Sequence, residues 1–501
     1  MYKERNRDVP SLAAIHPKVK ELERLFYPRS IATVGVSNST SNAVREIFFN
    51  PLLDSGFEGQ VYPIHPKGGE VQGLKVYPSI KDVPGPLDYV VVGIRAELGP
   101  QLVKDCGVKG VSTVMFYTAG FGESGTARGI ELEADLTRAA KECGVRIIGP
   151  NCVGVYCPES RIHFWSGFPR EPGPVGYICQ SGGNTIELIR LASPRGVRFS
   201  KVISFGNACD LNECDFLEYL THDPKTEIIA LYLEGVKDGQ RFVRLLSEAA
   251  RRKPVILLKG GVTEAGIKAT SSHTGSLAGS GLTWEVLCKQ LGVIQVHSLD
   301  ELSDMLVTLL FMPVPPGRRV AILSSGGGGA CVLATDDCER CGLVVPALSS
   351  ETTRDLLHVG DEVGTSVRNP VDFSSAMVNS TSVVETTRII SESAEVDFLL
   401  THVRAAGFYL VTSGIRFLYQ AAAQSIIEAS SVSSKPLAVV IETDLTQEAA
   451  QVSFAVMEQC VSRGFATYPS VPRAGHAISR FINYHDDMKR RVCLLEDCAA
   501  A

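Results

Sequence analysis

Three times along this chain an apolar, β-branched run stops abruptly in a turn of small residues: Gly35-Val36-Ser37-Asn38, Gln180-Ser181-Gly182-Gly183 and Ser324-Ser325-Gly326-Gly327-Gly328-Gly329. That combination leaves few folds open. A short apolar run without polar alternation reads as a strand buried on both faces, and such strands belong to parallel sheets covered by helices. A glycine-rich turn after the strand swings the backbone into the next helix, as in open, doubly wound sheets. Strands are expected at 30–36, 60–64, 89–94, 111–116 and 145–148, then at 175–179, 201–205, 228–233, 254–259 and 293–296, and finally at 319–323, 343–345, 396–402 and 436–441. Proline-rich joints at 168–174 and 312–317 divide the chain, because proline ends helices and forces extended backbone. The expectation is an α/β protein of three consecutive doubly wound parallel-sheet domains, 1–168, 169–312 and 313–501, the first with a Rossmann-like strand count.

Composition narrows the function. With 45% hydrophobic and 21% charged residues, each domain can bury a core, which excludes a disordered chain. A net charge of −6 offers no basic footprint for nucleic acid. The charged start, Met1-Tyr2-Lys3-Glu4-Arg5, lacks the apolar core of a secretory signal, and no run of membrane-spanning length occurs, so a cytoplasmic protein is expected. Many of the 14 cysteines sit inside apolar runs, as Cys179 and Cys331 do, and read as small hydrophobes in a reducing compartment. The one CxxC, Cys338 to Cys341, has no second pair to complete a zinc site, so no metal is assigned.

The small-residue turns are the natural places for anions. Ligands bind at the carboxyl ends of parallel strands, where the following helix presents free N–H groups and roughly half a positive charge. Neither later turn is a nucleotide P-loop, and the first departs from the strict dinucleotide pattern, so a nicotinamide enzyme is weakly supported. Among ten histidines His273 stands apart, in the small, polar stretch Ala269 to Gly279 that reads as a loop after the strand ending at Lys259. A loop of that kind can present an imidazole and carry it between two places. Its ring needs a carboxylate to fix the tautomer and balance positive charge. Glu234, ending the apolar strand Ala230-Leu231-Tyr232-Leu233, is the candidate.

With these residues in place the chain resembles the NDP-forming acyl-CoA synthetases, relatives of succinyl-CoA synthetase. The likeness runs through Pro28 to Ser37, Val61-Tyr62-Pro63, Ala119-Gly120-Phe121, Ile148-Gly149-Pro150-Asn151-Cys152-Val153-Gly154, Gln180-Ser181-Gly182, Phe205-Gly206-Asn207, Leu231 to Gly235, Ser272-His273-Thr274-Gly275 and Asn369-Pro370-Val371-Asp372. The resemblance implies a CoA-binding domain, a ligase domain bearing a phosphorylated histidine, and a third, flavodoxin-like domain. Acid, CoA and ATP would give acyl-CoA, ADP and phosphate through an acyl phosphate and a phosphohistidine. On that pattern His273 matches the histidine and Glu234 its carboxylate. Ser181, Gly182 and Gly183 with Gly326, Gly327 and Gly328 match the two helix N-termini that grip the phosphoryl group, and Gly35, Ser37, Lys67 and Asn151 match the CoA site.

The family's ATP-grasp domain, which binds ATP and Mg2+, has no evident counterpart in these 501 residues. An α-type subunit is therefore implied, with a separate ATP-grasp β subunit as partner in a hetero-oligomer, and a small carboxylic acid as substrate. There are departures too: Asn42-Ala43-Val44 stands where the family usually has K-x-G, and His65-Pro66-Lys67 where an asparagine is usual. They leave a competing expectation, a CoA-binding regulatory protein that has lost turnover. Retention of both His273 and Glu234 favours the enzyme.

Overall fold

The β-branched runs become strands where neighbours on both sides take up their N–H and C=O groups, and in the computed structural model this happens in three separate, largely parallel sheets, beside one small antiparallel hairpin. The structure describes residues 16–39, 42–274, 281–359, 367–372, 380–404, 415–443 and 446–500. In chain order the strands are β1 Ser30–Val34, β2 Gln60–Ile64, β3 Gly69–Val71, β4 Leu74–Val76, β5 Tyr89–Val92, β6 Thr113–Phe116, β7 Arg146–Ile148, β8 Gly154–Tyr156 and β9 Val175–Cys179. They continue as β10 Phe199–Ser204, β11 Ile228–Leu233, β12 Val255–Lys259, β13 Ile294–Val296, β14 Val320–Ser324, β15 Val371–Asp372, β16 Phe398–Arg404, β17 Leu437–Glu442 and β18 Ala466–Tyr468.

The first sheet has the order β2-β1-β5-β6-β7, the second β13-β12-β11-β9-β10-β8 and the third β15-β14-β16-β17-β18. In each, the first long strand has later strands on both sides. The chain therefore reverses its winding there, and the crevice beyond that strand's carboxyl end is where such sheets bind ligands. Strands β1, β9 and β14 are buried from end to end, so their burial carries no alternation. The first core packs Val90, Val92, Val114 and Phe116 against Leu132 and Leu136 of the helix Ala127–Cys143.

The expected strands recur with ends moved by one or two residues, apart from one at 343–345. There only Val344 pairs, with Arg319 just before β14, while β15 pairs with the end of that strand. Between them the Asn369 side chain acts as a rung: its Oδ1 accepts from Ile322 N at 3.0 Å and its Nδ2 donates to Val320 O at 2.9 Å. One side chain thus replaces a stretch of ladder. Strands β3, β4, β8, β15 and β18 were not expected; all are two or three residues long, below what periodicity resolves. Of these β8 matters most, because it runs antiparallel to β10 and so joins the second sheet although it precedes the joint at 168–174.

The chain divides into two compact units: residues 194–197 with 303 onward form one, and the first two sheets lie together in the other. Within the third-sheet unit Arg195 is buried, donating to Asp304 at 2.6 Å and to the Thr467 carbonyl, while Arg473 meets the other oxygen of Asp304 at 2.7 Å. Among the described residues no helix is long and apolar enough to cross a membrane, and the described cysteines are free thiols.

Candidate functional site

At the carboxyl edge of the second sheet the ends of β9, β11 and β12 come side by side. After β9 the chain turns through Ser181 into the helix Gly182–Ala192, and Ser181 caps it by accepting from Asn184 N at 3.3 Å. Ser181, Gly182 and Gly183 thus form a helix N-terminus at the point where the winding reverses. An added Cβ at Gly183 would meet only Ser181 Oγ, at 3.9 Å, so the approach to the N–H groups is open.

Glu234 follows β11 directly and is buried, 6% exposed. Its backbone N–H and that of Gly235 both donate to Gln180 Oε1, at 2.8 and 3.1 Å, which ties the end of β11 to the turn after β9. Its Oε1 accepts from the Tyr232 hydroxyl at 3.2 Å. Burial first, and the Glu234 charge second, push the Tyr232 phenol well above its ordinary range. Lys259, at the end of β12, donates to the Glu234 carbonyl at 2.8 Å and also to the Gly260 carbonyl. Burial holds its ammonium below the usual lysine value and the Glu234 carboxylate offsets this only in part.

His273 belongs to the helix Glu264–Thr274, which starts after β12 and is capped where Thr263 Oγ1 accepts from Gly266 N at 3.1 Å. The expected loop over Ala269 to Gly279 is therefore corrected in its first half: residues up to Thr274 are helical, while 275–280 and the His273 side chain lie outside the described residues. Serine and threonine suggested a loop, but a capped start with Glu264, Ala265, Ile267, Lys268 and Ala269 carries the helix through them. Nine residues at about 1.5 Å rise put His273 roughly 14 Å along that helix from Glu264.

In the third sheet the turn at Gly326, Gly327 and Gly328 opens the helix Gly327–Arg340, with Gly326 as its cap. Gly327 sits at φ +78°, which favours glycine, and an added Cβ at Gly326 would come within 2.8 Å of Arg404 Cδ. Behind the turn Ser324 Oγ accepts from Gly326 N at 3.2 Å and meets His402 Nδ1 at 3.2 Å. His402 Nε2 lies 3.3 Å from Glu442 Oε2, off the line of a hydrogen bond, and Arg404 Nε reaches the same oxygen at 3.1 Å. Burial pushes the Glu442 carboxyl up, but His402 and Arg404 outweigh it and leave it below the usual range.

Beyond β1, Gly35 adopts φ +104° with Gly93 O only 2.5 Å from where its Cβ would be, a place only glycine fills. The Asn42 side chain donates to Gly35 O at 2.9 Å and to Ser37 Oγ at 3.2 Å, and accepts from Arg45 N at 2.7 Å. Val44 is buried against Gly93, whose added Cβ would fall 2.1 Å from Val44 Cγ2. Asn42 and Val44 therefore close the first turn by their own packing. Lys67 is exposed in the turn after β2, and Asn151 holds φ +59° with its N–H on Thr118 O at 3.0 Å.

The structure thus brings Glu234 and the Ser181–Gly183 turn to one sheet edge, with the His273 helix leaving the adjacent strand. Tyr232, Gln180 and Lys259 were missed as site residues. Lys259 carried the same signal as Glu234, a charge closing an apolar strand. His402, Arg404 and Glu442 are also charged or polar strand ends, overlooked because His402 read as an ordinary histidine. Among the described residues no three His, Cys, Asp or Glu side chains group as metal ligands.

Fold and matching domain models together define an α/β protein with a CoA-binding domain and a ligase-type flavodoxin domain. A CoA binding domain model matches residues 29–158, and a succinyl-CoA ligase like flavodoxin domain model matches residues 172–309. The α subunit of acetate–CoA ligase [ADP-forming] II from Pyrococcus furiosus is 37% identical over 379 residues, covering 76% of this chain and 81% of its own. Acetate–CoA ligase [ADP-forming] I from Archaeoglobus fulgidus is 36% identical over 82% of this chain, which spans only 58% of that protein. The solved structure of dinucleotide forming acetyl-coenzyme A synthetase 1 from Ca. Korarchaeum cryptofilum, in complex with phosphate and ADP, superposes with a TM-score of 0.75 at 32% identity, covering 93% of this chain and 97% of that one. The chain belongs to the ADP-forming acyl-CoA ligases, a family of acid–thiol ligases related to succinyl-CoA synthetase.

Proposed function

We propose that the chain is the CoA-binding, phosphohistidine-carrying subunit of a cytoplasmic, ADP-forming ligase acting on a small carboxylic acid. The observation that carries this is the buried carboxylate of Glu234 beside the capped helix opening at Ser181, Gly182 and Gly183, with His273 on the helix that follows the neighbouring strand. A neutral imidazole nitrogen of His273 attacks the phosphorus of ATP, and ADP leaves. The N–P bond then breaks as a carboxylate oxygen of the acid takes the phosphoryl group, giving an acyl phosphate. The CoA thiolate adds to its carbonyl carbon and phosphate departs, leaving the thioester. Positive charge on the imidazole is balanced by Glu234, and phosphoryl oxygens meet preorganised backbone N–H groups in a water-poor crevice.

The third-sheet turn at Gly326, Gly327 and Gly328 offers phosphate a second helix opening of the same kind. Gly35, Ser37, Lys67 and Asn151 are assigned to CoA. Gly35 allows the left-handed turn after β1 that no larger residue fits, and Lys67 is exposed and able to reach a phosphate. ATP and Mg2+ belong to an ATP-grasp β subunit in a hetero-oligomer. A CoA-binding protein without turnover is the competing reading, favoured by the turn that Asn42 and Val44 close.

The test is incubation with acyl-CoA and labelled phosphate, run in the direction that needs no nucleotide. Acid-labile, base-stable label should appear on the chain and be lost in His273→Ala. Absence of label, or its survival in that variant, removes the mechanism, and CoA binding without label selects the competitor.

A further inference from the structure

Strands β11 and β12 end side by side, with Leu233 opposite Lys259 and Gly260 N donating to Leu233 O at 2.9 Å. After that last rung the two stretches of chain part, one into Glu234 and Gly235, the other through Gly260 and Gly261 toward the helix Glu264–Thr274 that bears His273. The Lys259 side chain does not leave for solvent. It is 4% exposed, and its ammonium turns back to donate to the Glu234 carbonyl at 2.8 Å and to the Gly260 carbonyl. The Trp284 ring covers it, with Nζ 5.5 Å from the ring centroid, and Trp284 in turn packs against Phe242. An ammonium has three donors and no acceptor, so two carbonyls and an aromatic face are matched surroundings for it.

The two carbonyls belong to the peptide units Glu234–Gly235 and Gly260–Gly261, and the second unit has both members of the proposed pair as neighbours. An added Cβ at Gly260 would fall 3.5 Å from Glu234 Cγ and 2.7 Å from Tyr232 Oη. One at Gly261, which holds φ +73°, would collide with Thr270 Oγ1. The Glu234 side chain therefore passes over Gly260, while the His273 helix folds back on Gly261 through Thr270. Neither glycine has a side chain to anchor it, and glycine has the widest backbone freedom. Burying an ammonium costs solvation that an apolar side chain would not lose, so packing alone gives no reason for a lysine here. We propose that Lys259 is a positioning residue for the phosphoryl transfer: its ammonium ties the stem of Glu234 to the stem of the His273 helix and so sets where the carboxylate meets the imidazole. This role rests on the phosphohistidine reading above. Lys259 acts through the main chain and not on the reacting atoms.

The test is a double-mutant cycle on the full chain. Lys259→Met keeps much of the side chain's length and removes its charge and donors, and Glu234→Ala removes the carboxylate that Lys259 places. Labelling from a panel of short-chain acyl-CoA thioesters and labelled phosphate is timed by rapid quench for the wild type, both single variants and the pair, with a thermal melt of each. Misplacing a catalytic group by about 1 Å can cost roughly 100-fold, so Lys259→Met should slow labelling about 10- to 100-fold. The pair should be no slower than Glu234→Ala alone, because a residue that acts through Glu234 then has nothing left to place; independent sites would instead multiply their effects. Multiplied factors in the pair, or a wild-type rate in a folded Lys259→Met, overturn the role of Lys259 and leave the phosphohistidine standing. A wild-type chain that takes no label, or label that survives His273→Ala, removes the phosphohistidine and this role with it. If Lys259→Met does not fold, Lys259→Gln, which keeps an amide donor but no charge, enters the same cycle with the same two outcomes.

Discussion

Replacing Glu234 by glutamine isolates the carboxylate's charge from its place in the fold. The variant keeps the backbone N–H on Gln180 Oε1 and the carbonyl that Lys259 reaches, and a glutamine oxygen can still accept from the Tyr232 hydroxyl. The structural cost should therefore be small. What disappears is the negative charge that balances an imidazolium. A hydrogen bond to a charged group is worth about 1.5–3 kcal/mol, and each 1.36 kcal/mol is tenfold in rate. Phosphorylation of the chain from acyl-CoA and phosphate should slow roughly 10- to 150-fold. Rapid-quench labelling with acid-labile phosphate counted at each time measures this, alongside a thermal melt to show the fold unchanged. A wild-type labelling rate in a variant that melts normally would sink the assignment of Glu234, whatever the fate of His273.

Other consequences follow from the same geometry. Asn42→Ala removes three hydrogen bonds that close the first turn and should cost about 1–2 kcal/mol, as loss of a helix cap does, while weakening CoA in a binding titration. Asp304→Ala leaves Arg195 buried without its carboxylate, and denaturant unfolding of the unit holding the third sheet should lose about 3–5 kcal/mol. His163 gives a pH signature. Burial, helped by Arg170, lowers its folded pKa to about 4, below the ordinary 6.5, so the unfolded chain binds the extra proton first as pH falls. Stability should drop between pH 6.5 and 4, with a slope reaching about 1.4 kcal/mol per pH unit, and His163→Gln should flatten that limb of the pH-melting curve.

Much of the site could be read from residue order because its parts are local. A buried strand, a glycine turn and a capped helix are made from residues within a few positions of each other, so Ser181, Gly182 and Gly183 announce an open helix N-terminus before any sheet is assembled. Glu234 was legible for a similar reason, since a charge that ends an apolar strand must lie at the sheet's edge. The helical state of His273 was not. Ser271, Ser272 and Thr274 are poor helix formers, and the cap at Thr263 decides the matter from ten residues away.

The alternation of apolar runs and small-residue turns by itself determined three doubly wound sheets and the places where each turns from strand into helix. Only the tertiary structure decided which strand ends are neighbours. Gln180 reaches Gly235, Lys259 reaches the Glu234 carbonyl and β8 crosses into the second sheet. Asn369 supplies the rung between Val344 and β15. The physical reason is that strand periodicity fixes which faces are buried, while the order of strands in a sheet is set by crossovers and single side-chain contacts between residues tens of positions apart.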